Sequence, residues 1–533
     1  MNASASLQPI LVDGRWVPAQ APQGSFRAFD PSHRRELDTH DFPVSSWADL
    51  DAMLDAGQRA AAEMAALPGE RIGAFLDAYA DAIEARAETL IDTAHRETGL
   101  PVEPRLRKAE LPRTTGQLRQ GAQAAREGSW ARATIDTANN LRSMHGPLGG
   151  PVLVLGPNNF PLAFNGIAGG DFTAAIAAGN PVIAKAHPAH PRTSQLLAEA
   201  ALEALQASGL PAGAVQMFFH TSNELGLRAV TDPRTAAVAF TGSRPGGMAI
   251  KAAADAVGKP AYLEMSSVNP VFVLAGALRE RGAAIAAELA ASCAMGAGQF
   301  CTRPGVTVLP PGADADAFVR EMQRLTEATA PGVLLTPRAP AAVGEVVAAL
   351  REAGATLLVG GAEANDAAGY AFQPTLLEVS GSAFLRAPQA LQNEAFGQVC
   401  LLVRAESPAQ LVQIAQVLEG NLTGSIYSDT AGSDDADYDT LAPLLRRRVG
   451  RLINDRMPTG VAVSPAQNHG GPYPATGHPG FTAVGIPASL LRFSALHSYD
   501  NVRAHRLPLA LRDANPTGSL PRLIDGQWTT ADA

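Results

Sequence analysis

The segment "GPVLVLGPNNFP", from Gly150 to Pro161, is a short apolar run enclosed by glycines and prolines. Such a run is typical of a strand that is buried on both faces and ends in a loop. After a helix predicted from about Gly169 to Ala178, the segment "NPVIAKAHPAHP" (Asn180–Pro191) repeats the pattern with a polar end. The two units predict neighbouring strands of one parallel sheet.

Three more apolar runs continue this rhythm, after a helix predicted at about Thr193–Ser208. They are "AVQMFFH" (Ala214–His220), "AAVAFTGS" (Ala236–Ser243) and "PAYLEMSS" (Pro260–Ser267). Strands and helices in alternation predict an α/β fold in which both faces of the parallel sheet are covered.

Polar residues stand where these predicted strands end. The ends carry Asn158-Asn159, Lys185, Gly242-Ser243 and Glu264. Because ligands bind at the carboxyl ends of parallel strands, we expect a site at this edge.

The alternation resumes farther along the chain. From about Ala284 to Arg404 the strand candidates are "RPGVTVLP", "GATLLVGG" and "AFQPTLLEV", which predict a second α/β domain. Alanine-rich helices are predicted before the first sheet, from residue 46 to about Glu127, and the chain becomes turn-rich after Ile453. Two or three domains suit a chain of 533 residues.

Composition excludes several classes of partner. The net charge of −9 argues against binding to nucleic acid or to an anionic membrane surface. No apolar run approaches the ~18 residues of a membrane span, and the N-terminus lacks the features of a signal peptide. We therefore expect a cytoplasmic protein.

Two short segments, far apart in the chain, resemble each other. "ILVDGRW" (Ile10–Trp16) and "RLIDGQW" (Arg522–Trp528) each place an Asp-Gly turn between an apolar run and a tryptophan. This pattern predicts a β-hairpin. We favour two surface hairpins over edge pairing with other strands or with another subunit.

The chain has three cysteines, Cys293, Cys301 and Cys400. An odd, sparse set does not build a disulfide framework, and the absence of a CxxC pair or a zincin-spaced histidine pair predicts no metal site. Cys301 stands among small residues in "GAGQFCTRPG" (296–305). It is either buried filler or a reactive thiol.

The strand-end residues favour the reactive thiol when they are taken together, although each alone is an ordinary turn residue or surface charge. A thiolate that attacks a carbonyl needs oxyanion donors, such as the Asn159 amide, and a carboxylate, such as Glu264, to take protons. Gly242-Ser243 before a predicted helix would provide N–H groups for phosphates, and Lys185 could donate to ribose hydroxyls.

Six motifs then stand in the order of the signature segments of the aldehyde dehydrogenase superfamily, which the chain resembles over roughly residues 8–490. They are "GPNNFPLAF", "NPVIAKAHPAHP", "AFTGSRPGG", "LEMSSVNPVFV", "GAGQFCTRPG" and "NEAFGQVC". The variants "KAHPAHP", "EMSSVNPVF" and "GGPYPATGHPGF" are most similar to the α-ketoglutaric semialdehyde (2,5-dioxopentanoate) dehydrogenases of this superfamily.

The resemblance implies catalytic roles. Cys301 matches the nucleophile that forms a thiohemiacetal and then a thioester. Glu264 matches the base that activates the deacylating water, and Asn159 matches the oxyanion amide. A cofactor-free thiol hydrolase and a catalytically silent scaffold remain as rival interpretations.

The resemblance also implies a nicotinamide cofactor, NADP or NAD, with no metal required. Lys185 matches the lysine at the adenosine ribose, and Gly242 and Ser243 match the pyrophosphate segment. Glu394 and Phe396 match the pair that positions the nicotinamide ribose and ring. A cofactor-free hydrolase would not need these residues.

The fold implied is an α/β aldehyde dehydrogenase fold with a Rossmann-like cofactor domain, a catalytic domain and a small β oligomerisation arm, assembled as a homodimer or homotetramer. The expected divisions are a NAD(P)-binding domain at 1–133 and 148–264, a catalytic domain at 265–455, oligomerisation or bridging elements at 134–147 and 456–510, and a C-terminal extension at 511–533.

Two positions depart from the superfamily pattern. Pro188 stands where many relatives have a glutamate that would repel a 2′-phosphate, so we expect NADP to be accepted and preferred. His187 and His190 would add positive charge below about pH 6.5, the ordinary histidine pKa. Gln398 replaces a usual proline, and we draw nothing from it.

The substrate is the least constrained feature. In "PRTTGQLRQ" (Pro112–Gln120), Arg113, Gln117 and Arg119 lie where the superfamily builds the entrance to the thiol. They are either solvated or a clamp for a substrate carboxylate. We expect oxidation of α-ketoglutaric semialdehyde to 2-oxoglutarate, with medium- or long-chain aliphatic aldehydes as the alternative.

Overall fold

Two seven-stranded sheets dominate the computed structural model, which describes residues 7–533. The α-helices are α1 Trp47–Met64, α2 Gly69–Ala85, α3 Ala87–Thr98, α4 Leu111–Glu127, α5 Gly170–Ala177, α6 Pro191–Ser208, α7 Asn223–Thr231, α8 Arg244–Ala256, α9 Ala275–Ala294, α10 Ala313–Ala328, α11 Ala339–Glu352, α12 Gly381–Arg386, α13 Pro388–Leu391, α14 Pro408–Val417, α15 Asp435–Arg446 and α16 Ala488–Leu491. None of these helices combines the length and apolar character needed to cross a membrane.

The strands are β1 Ile10–Val12, β2 Arg15–Val17, β3 Ser25–Phe26, β4 Phe29–Asp30, β5 Arg35–Glu36, β6 Phe42–Pro43, β7 Thr134–Asp136, β8 Leu141–Pro147, β9 Val152–Leu155, β10 Val182–Lys185, β11 Val215–Phe218, β12 Ala237–Thr241, β13 Ala261–Glu264, β14 Val271–Val273, β15 Val306–Leu309, β16 Thr356–Val359, β17 Thr375–Ser380, β18 Val399–Arg404, β19 Asn421–Tyr427, β20 Val449–Asn454, β21 Ser494–Asp500, β22 Arg522–Ile524 and β23 Gln527–Thr529. From β9 to β13 the strands alternate with helices, as the sequence pattern predicts.

The first sheet has the order β13-β12-β9-β10-β11-β1-β2. The strands from β13 to β11 in this order are parallel, so their carboxyl ends share one edge. The order changes direction between β9 and β12, which is where open α/β sheets bind ligands. This confirms the predicted α/β fold and brings the polar strand ends to the same edge.

The second sheet has the order β16-β17-β18-β15-β14-β19-β20 and is parallel except for β16. The chain passes from β13 of the first sheet to β14 of the second through residues 265–270. Glu264 ends β13, and Cys301 precedes β15. The functional candidates therefore lie between the two sheets.

A third sheet, the arm, has the order β21-β8-β7-β22-β23. Its strands β7 and β8 are the segment that was expected to form an arm. Residues 511–533 were expected to be a C-terminal extension, and their strands β22 and β23 continue the arm sheet. The carboxylate of Asp525 accepts hydrogen bonds from the N–H and hydroxyl of Thr137, at 2.8 and 2.7 Å.

Both Asp-Gly segments form hairpins, β1–β2 and β22–β23. Each hairpin also joins the edge of a larger sheet. Leu11 of β1 pairs with Met217 of β11, and Leu523 of β22 pairs with Thr134 of β7. The favoured interpretation of two isolated surface hairpins is therefore wrong, because an apolar run beside an open sheet edge gains hydrogen bonds by pairing there.

Candidate active site

Cys301 follows a left-handed turn. Gly296, Ala297 and Gly298 have φ angles of 57°, 57° and 74°. A Cβ on Gly298 would lie 2.1 Å from the carbonyl of Gly397, so only glycine fits this close approach of two backbones. The amide of Asn269 donates to the carbonyl oxygens of Cys301 and Arg303, at 2.9 Å each. The backbone on either side of the thiol is thereby fixed.

The thiol lies beside two further titratable groups. The Sγ of Cys301 is 3.5 Å from Nε2 of His469, and the same nitrogen is 3.2 Å from Oε1 of Glu264. The side chains of His469 and Glu264 are each 2% exposed. Burial, followed by the charge of Glu264, raises the pKa of the Cys301 thiol well above its ordinary value.

A raised pKa keeps the thiol protonated at neutral pH, although the thiolate is the nucleophilic form. In the tautomer that carries its proton on Nδ1, the Nε2 of His469 can accept the thiol proton and can then donate a hydrogen bond to Glu264. The arrangement therefore supplies a nearby proton acceptor to a thiol that is poorly ionised by itself.

His469 reaches this position because an irregular segment pairs with the end of β13. The N–H of Met265 donates to Ala475 at 2.8 Å, and the N–H of Gly477 donates to Leu263 at 3.0 Å. The N–H of His469 donates to the hydroxyl of Thr482 at 3.0 Å. Sequence reasoning missed this histidine because it stands 168 residues from Cys301, with no spacing signal in the turn-rich segment.

Asn159 contacts the cysteine loop, as its predicted role requires. It is 5% exposed, and its Nδ2 donates to the carbonyl of Gln299 at 2.8 Å. An amide nitrogen carries two hydrogens, so one remains for another acceptor. Its own backbone carbonyl accepts from Arg105 at 2.7 Å.

A cavity of about 710 Å³ leads to Cys301. Its wall is largely apolar and aromatic and includes Phe160, Phe164, Phe300 and Val461. Arg105, which the sequence reasoning missed, stacks on Phe160 at 4.0 Å and is paired with a glutamate. This is the wall of a pocket for a small organic molecule.

Arg113 is the charged group in this wall that lacks a carboxylate partner. Its Nη1 donates to the carbonyl of Val461 at 3.0 Å, and its guanidinium lies 4.9 Å from the centre of the Phe164 ring. Its Nε and Nη2 atoms are buried and have no hydrogen-bond partner among the described residues. Gln117 also lines the cavity, and its Oε1 is likewise without a partner in the part of the chain that the structure describes.

The structure does not bring Arg119 to the cavity. Its guanidinium donates to Glu84 at 2.6 Å and to Asp81 at 2.7 Å on the solvent face of the helices. Position 119 is six residues from Arg113 on the same helix, α4, so the two side chains point to different faces. The prediction that Arg119 belongs to a substrate clamp is therefore wrong.

A second cavity, of about 460 Å³, opens at the carboxyl ends of β10 and β11. Lys185 lies in its wall with apolar residues such as Leu155, Phe240 and Ile250. Burial lowers the pKa of Lys185 to about 8. Its Nζ makes one long hydrogen bond, of 3.4 Å to a backbone carbonyl, and no ion pair within residues 7–533.

The start of α8 faces this cavity. Ser243 caps the helix by accepting from the N–H of Gly246, and Pro245 and Gly246 line the cavity wall. Gly242 and Ser243 themselves lie just beyond that wall. Free N–H groups at the start of a helix bind phosphate, so the segment suits the pyrophosphate of a dinucleotide.

His220 is a third residue that the sequence reasoning missed. It lies in the wall of this cavity, and its Nδ1 is buried without a hydrogen-bond partner among the described residues. The sequence did contain a signal for this residue, because "AVQMFFH" predicts a strand that ends at His220. Lys185, His220 and the start of α8 together fit the ribose and phosphates of a nicotinamide dinucleotide, and the apolar wall fits its adenine.

His187 and His190 do not add positive charge. Burial lowers the pKa of His190 to about 4 and that of His187 well below its ordinary value. The Nε2 of His190 is bonded to the carbonyl of Pro157 at 3.1 Å, and Nδ1 of His187 accepts from the N–H of Ala189. The expectation of added charge is wrong because burial disfavours the charged form of both rings. Pro188, half-buried between them, lies outside the cavity wall.

The segment that contains Glu394 lies behind the cysteine loop. The carboxylate of Glu394 accepts from the N–H of Ser267 at 3.3 Å, and burial raises its pKa to about 7. Phe396 is half-buried beside Gly397. Gln398 accepts from the N–H of Gly332 at 2.7 Å and thereby fixes a neighbouring loop.

The other two cysteines are buried in the core of the second sheet. Cys293 is 7% and Cys400 is 3% exposed. Both pack in one apolar cluster on a face of this sheet, and neither lines the cavity at Cys301.

Comparison with known proteins gives one consistent result. Residues 16–436 match the sequence model described as the aldehyde dehydrogenase family. The chain is 39% identical over 520 residues to alpha-ketoglutaric semialdehyde dehydrogenase 2 of Azospirillum brasilense, covering 95% of this chain and 96% of that protein. It is 36% identical over 533 residues to alpha-ketoglutaric semialdehyde dehydrogenase of Acinetobacter baylyi, covering 97% and 98%.

Solved structures agree on the fold. A putative aldehyde dehydrogenase from Burkholderia cenocepacia superposes with a TM-score of 0.79 at 25% identity, covering 94% of this chain and 99% of that one.

We expect iodoacetamide to alkylate Cys301 in preference to Cys293 and Cys400, because Cys301 lines the cavity of about 710 Å³ whereas the other two line one of only about 20 Å³. The rate should rise with pH well into the alkaline range, since a raised pKa delays thiolate formation. His469→Gln should slow labelling at neutral pH by roughly 10²-fold, the lower end of what a positioned proton acceptor contributes. Peptide mapping by mass spectrometry measures both effects. A main adduct on Cys293, or an unchanged rate in His469→Gln, would contradict this account.

Proposed function

The chain belongs to the aldehyde dehydrogenase family, and on this premise we propose that it oxidises a short aldehyde with a distal carboxylate, with α-ketoglutaric semialdehyde as the first candidate. Oxidation of an aldehyde to a carboxylic acid is the activity of the family. The observation that carries the choice of substrate is Arg113, a buried guanidinium with unpartnered nitrogens in the wall of the cavity that leads to Cys301. The names of the two relatives point to the same semialdehyde.

A carboxylate is the group that Arg113 can bind best. A guanidinium holds a carboxylate through two parallel charge-assisted hydrogen bonds, and Arg113 has two nitrogens free for them. Burial without an ion pair lowers the pKa of Arg113, whereas the nearby groups Cys301, Glu110 and Glu264 oppose that change. A substrate carboxylate supplies the counter-charge that the described residues do not place within ion-pair distance of Arg113.

The apolar remainder of the cavity favours a second candidate. Phe160, Phe164 and Phe300 offer an aromatic surface to an alkyl chain, so medium- or long-chain aliphatic aldehydes fit the wall as well. These two classes of substrate differ in whether Arg113 is used. A cofactor-free hydrolase is set aside by the family to which the chain belongs.

The proposed reaction begins at the thiol. His469 accepts the proton of Cys301, and the thiolate sulfur forms a bond to the aldehyde carbon. The carbonyl oxygen becomes an oxyanion, which the Asn159 amide and the N–H of Cys301 stabilise as donors. The hydride leaving the former aldehyde carbon would pass to an oxidised nicotinamide held by the cofactor site. A thioester on Cys301 results.

Glu264 completes the cycle. Its carboxylate takes a proton from water, whose oxygen attacks the thioester carbon, and the acid leaves as the sulfur regains its electron pair. The Oε2 atom of Glu264 is buried and without a partner in the structure, so one carboxylate oxygen is available to water. Splitting the oxidation into acylation and deacylation is the purpose of covalent catalysis.

We propose NADP as the preferred cofactor, with NAD also accepted. Lys185, His220 and the first turn of α8 are the residues that would hold it. The support for NADP is that Lys185 is not neutralised by an ion pair and that Pro188 places no carboxylate beside it. Because the pKa of Lys185 is about 8, its positive charge is present below that pH and is lost above it.

We also propose that the arm joins copies of the chain, in a homodimer or homotetramer. Its outer strand β21 is unpaired on one edge within residues 7–533, and Leu496 on that strand is 62% exposed. The expected domain division stays a proposal, with the qualification that residues 469–477 reach the active site.

The reaction is tested by replacing the proposed base and nucleophile. Glu264→Gln should give a stoichiometric burst of reduced cofactor and then stall, with steady-state turnover lower by roughly 10²–10⁴-fold, because deacylation needs a carboxylate. Cys301→Ser should give no burst. Rapid-mixing absorbance of reduced cofactor measures both. If Glu264→Gln binds cofactor but gives no burst, Glu264 acts before hydride transfer.

The substrate is tested by a matched pair of arginines on α4. Arg113→Ala should raise KM for α-ketoglutaric semialdehyde about tenfold or more, through loss of a charge-assisted contact worth ~1.5–3 kcal/mol. It should leave hexanal almost unchanged. Arg119→Ala is the control and should change neither. An equal rise in KM for both aldehydes in Arg113→Ala would contradict the proposal that Arg113 binds the substrate carboxylate. A preference of the native enzyme for long alkyl aldehydes would favour the second candidate.

The cofactor preference is tested at Pro188. Pro188→Glu should lower kcat/KM for NADP about tenfold or more while sparing NAD, since like charges a few ångströms apart near a surface repel by ~1–4 kcal/mol. Pro188→Gln removes the proline without adding charge and is the control. The proposal fails if the native enzyme uses NAD at least about tenfold better and Pro188→Glu alters neither value.

A further inference from the structure

We infer that Glu264, Cys301 and His469 together form a binding site for a thiol-seeking divalent cation of the Zn²⁺ class, and that occupation of this site reversibly blocks the enzyme. One ligand atom from each residue, a carboxylate oxygen, a sulfur and an imidazole nitrogen, lies within 4.8 Å of the other two. The sequence predicted no metal site because it offers no local ligand spacing. These three residues are brought together only by the fold.

The spacing of the ligand atoms suits tetrahedral zinc. Bonds of about 2.3 Å to sulfur, about 2.0–2.1 Å to nitrogen and about 2.0–2.2 Å to oxygen place tetrahedral neighbours about 3.3–3.6 Å apart. The observed separations are 3.5 Å between Cys301 Sγ and His469 Nε2, and 3.2 Å between that nitrogen and Glu264 Oε1. The third pair, Cys301 Sγ and a carboxylate oxygen of Glu264, lies within 4.8 Å, so a side-chain movement of at most about 1 Å brings all three ligands to one cation.

The charges of the three ligands also match that of a divalent cation. A thiolate and a carboxylate neutralise a dication, and imidazole adds no charge. Binding forms Zn–S, Zn–N and Zn–O bonds, and the thiol proton is released to solvent. Glu264 has a second oxygen, Oε2, that is buried without a hydrogen-bond partner among the described residues. Such an atom gains from coordination or from a cation close by.

The charges around the site limit its affinity for cations and favour soft and borderline ions over hard ones. The guanidinium groups of Arg113 and Arg451 both act electrostatically on Cys301, and Glu394 acts in the opposite sense. Two cations near the site oppose a hard ion held by charge alone. A Zn–thiolate bond has covalent character, so soft and borderline ions are favoured over Mg²⁺ and Ca²⁺.

The cavity gives a metal ion access to these ligands. Cys301 and His469 line the cavity of about 710 Å³, which provides an entry path for a hydrated ion. Three protein ligands leave a fourth position for water or for an oxygen of the substrate. Coordination lowers the nucleophilicity of the sulfur, and a metal-bound Nε2 of His469 can no longer accept the thiol proton. Zinc should therefore act as an inhibitor at the centre of the site, although the site resembles a catalytic zinc centre in its ligand count.

The test uses the full chain, reduced and free of metal, with Co²⁺ as a spectroscopic probe and Zn²⁺ as the inhibitor. We expect stoichiometric Co²⁺ binding with the near-ultraviolet thiolate-to-cobalt band and the visible bands of tetrahedral cobalt. Zn²⁺ should displace the probe and inhibit turnover, and a chelator should restore it. Mg²⁺ should do neither.

Variants assign the ligands without relying on catalysis. His469→Gln and Cys301→Ser should weaken Zn²⁺ binding in equilibrium dialysis by at least about 10–100-fold, the range that even the outer partners of a metal site carry. Cys293→Ala should bind like the native chain. Absence of the charge-transfer band, or equal zinc affinity in His469→Gln and the native chain, would overturn the inference. These readouts need neither aldehyde nor cofactor, so they are independent of the proposed function.

Discussion

The position of the Cys301 thiol depends on the close contact between two stretches of backbone, the turn at 296–298 and the segment at Gly397. The left-handed conformation of Ala297 costs an alanine about 1–2 kcal/mol relative to the ordinary helical region, so the surrounding contacts must hold it in place. They do so through the two bonds from Asn269 and through the fit of Gly298 against Gly397. The small residues around the cysteine thus serve backbone packing before they serve the substrate.

Because the thiol is held in place, its protonation depends on the charges of the groups around it. Cys301 lies in a buried position where the neutral form is favoured, and Glu264 adds to this preference. His469 lies between the two and can exchange a proton with either, whereas Arg113 brings positive charge without a partner of its own. Nucleophile, base and cation are therefore close enough that a change in any one alters the protonation of the others.

Much of this arrangement could be predicted from the chain alone, and the remainder could not, for physical reasons. Apolar runs between turn residues correctly predicted the parallel strands, and the strand-end rule placed Lys185 and Glu264 at one edge. His469 was missed because it lies in irregular backbone whose path depends on pairing with the end of β13, a contact that has no local pattern.

The sequence also misled where it offered several residues of one type. Arg113 and Arg119 look equivalent in sequence, but the helical turn directs one into the cavity and the other towards Asp81 and Glu84. His187 and His190 look like surface cations, but burial lowers the pKa of both rings, and each ring forms a hydrogen bond with the backbone. In both cases the decisive fact is the direction of a side chain, which depends on tertiary packing.

The pairing of β7 with β22 bears on the order in which the molecule is made. Thr137 and Asp525, which join these strands, are 388 positions apart in the chain. During synthesis on the ribosome, β7 and β8 emerge early and must wait for almost the whole chain before β21 and β22 can cover both of their edges. Until then the nascent arm is a two-stranded ribbon with exposed edges, which is where a chaperone would have most to protect.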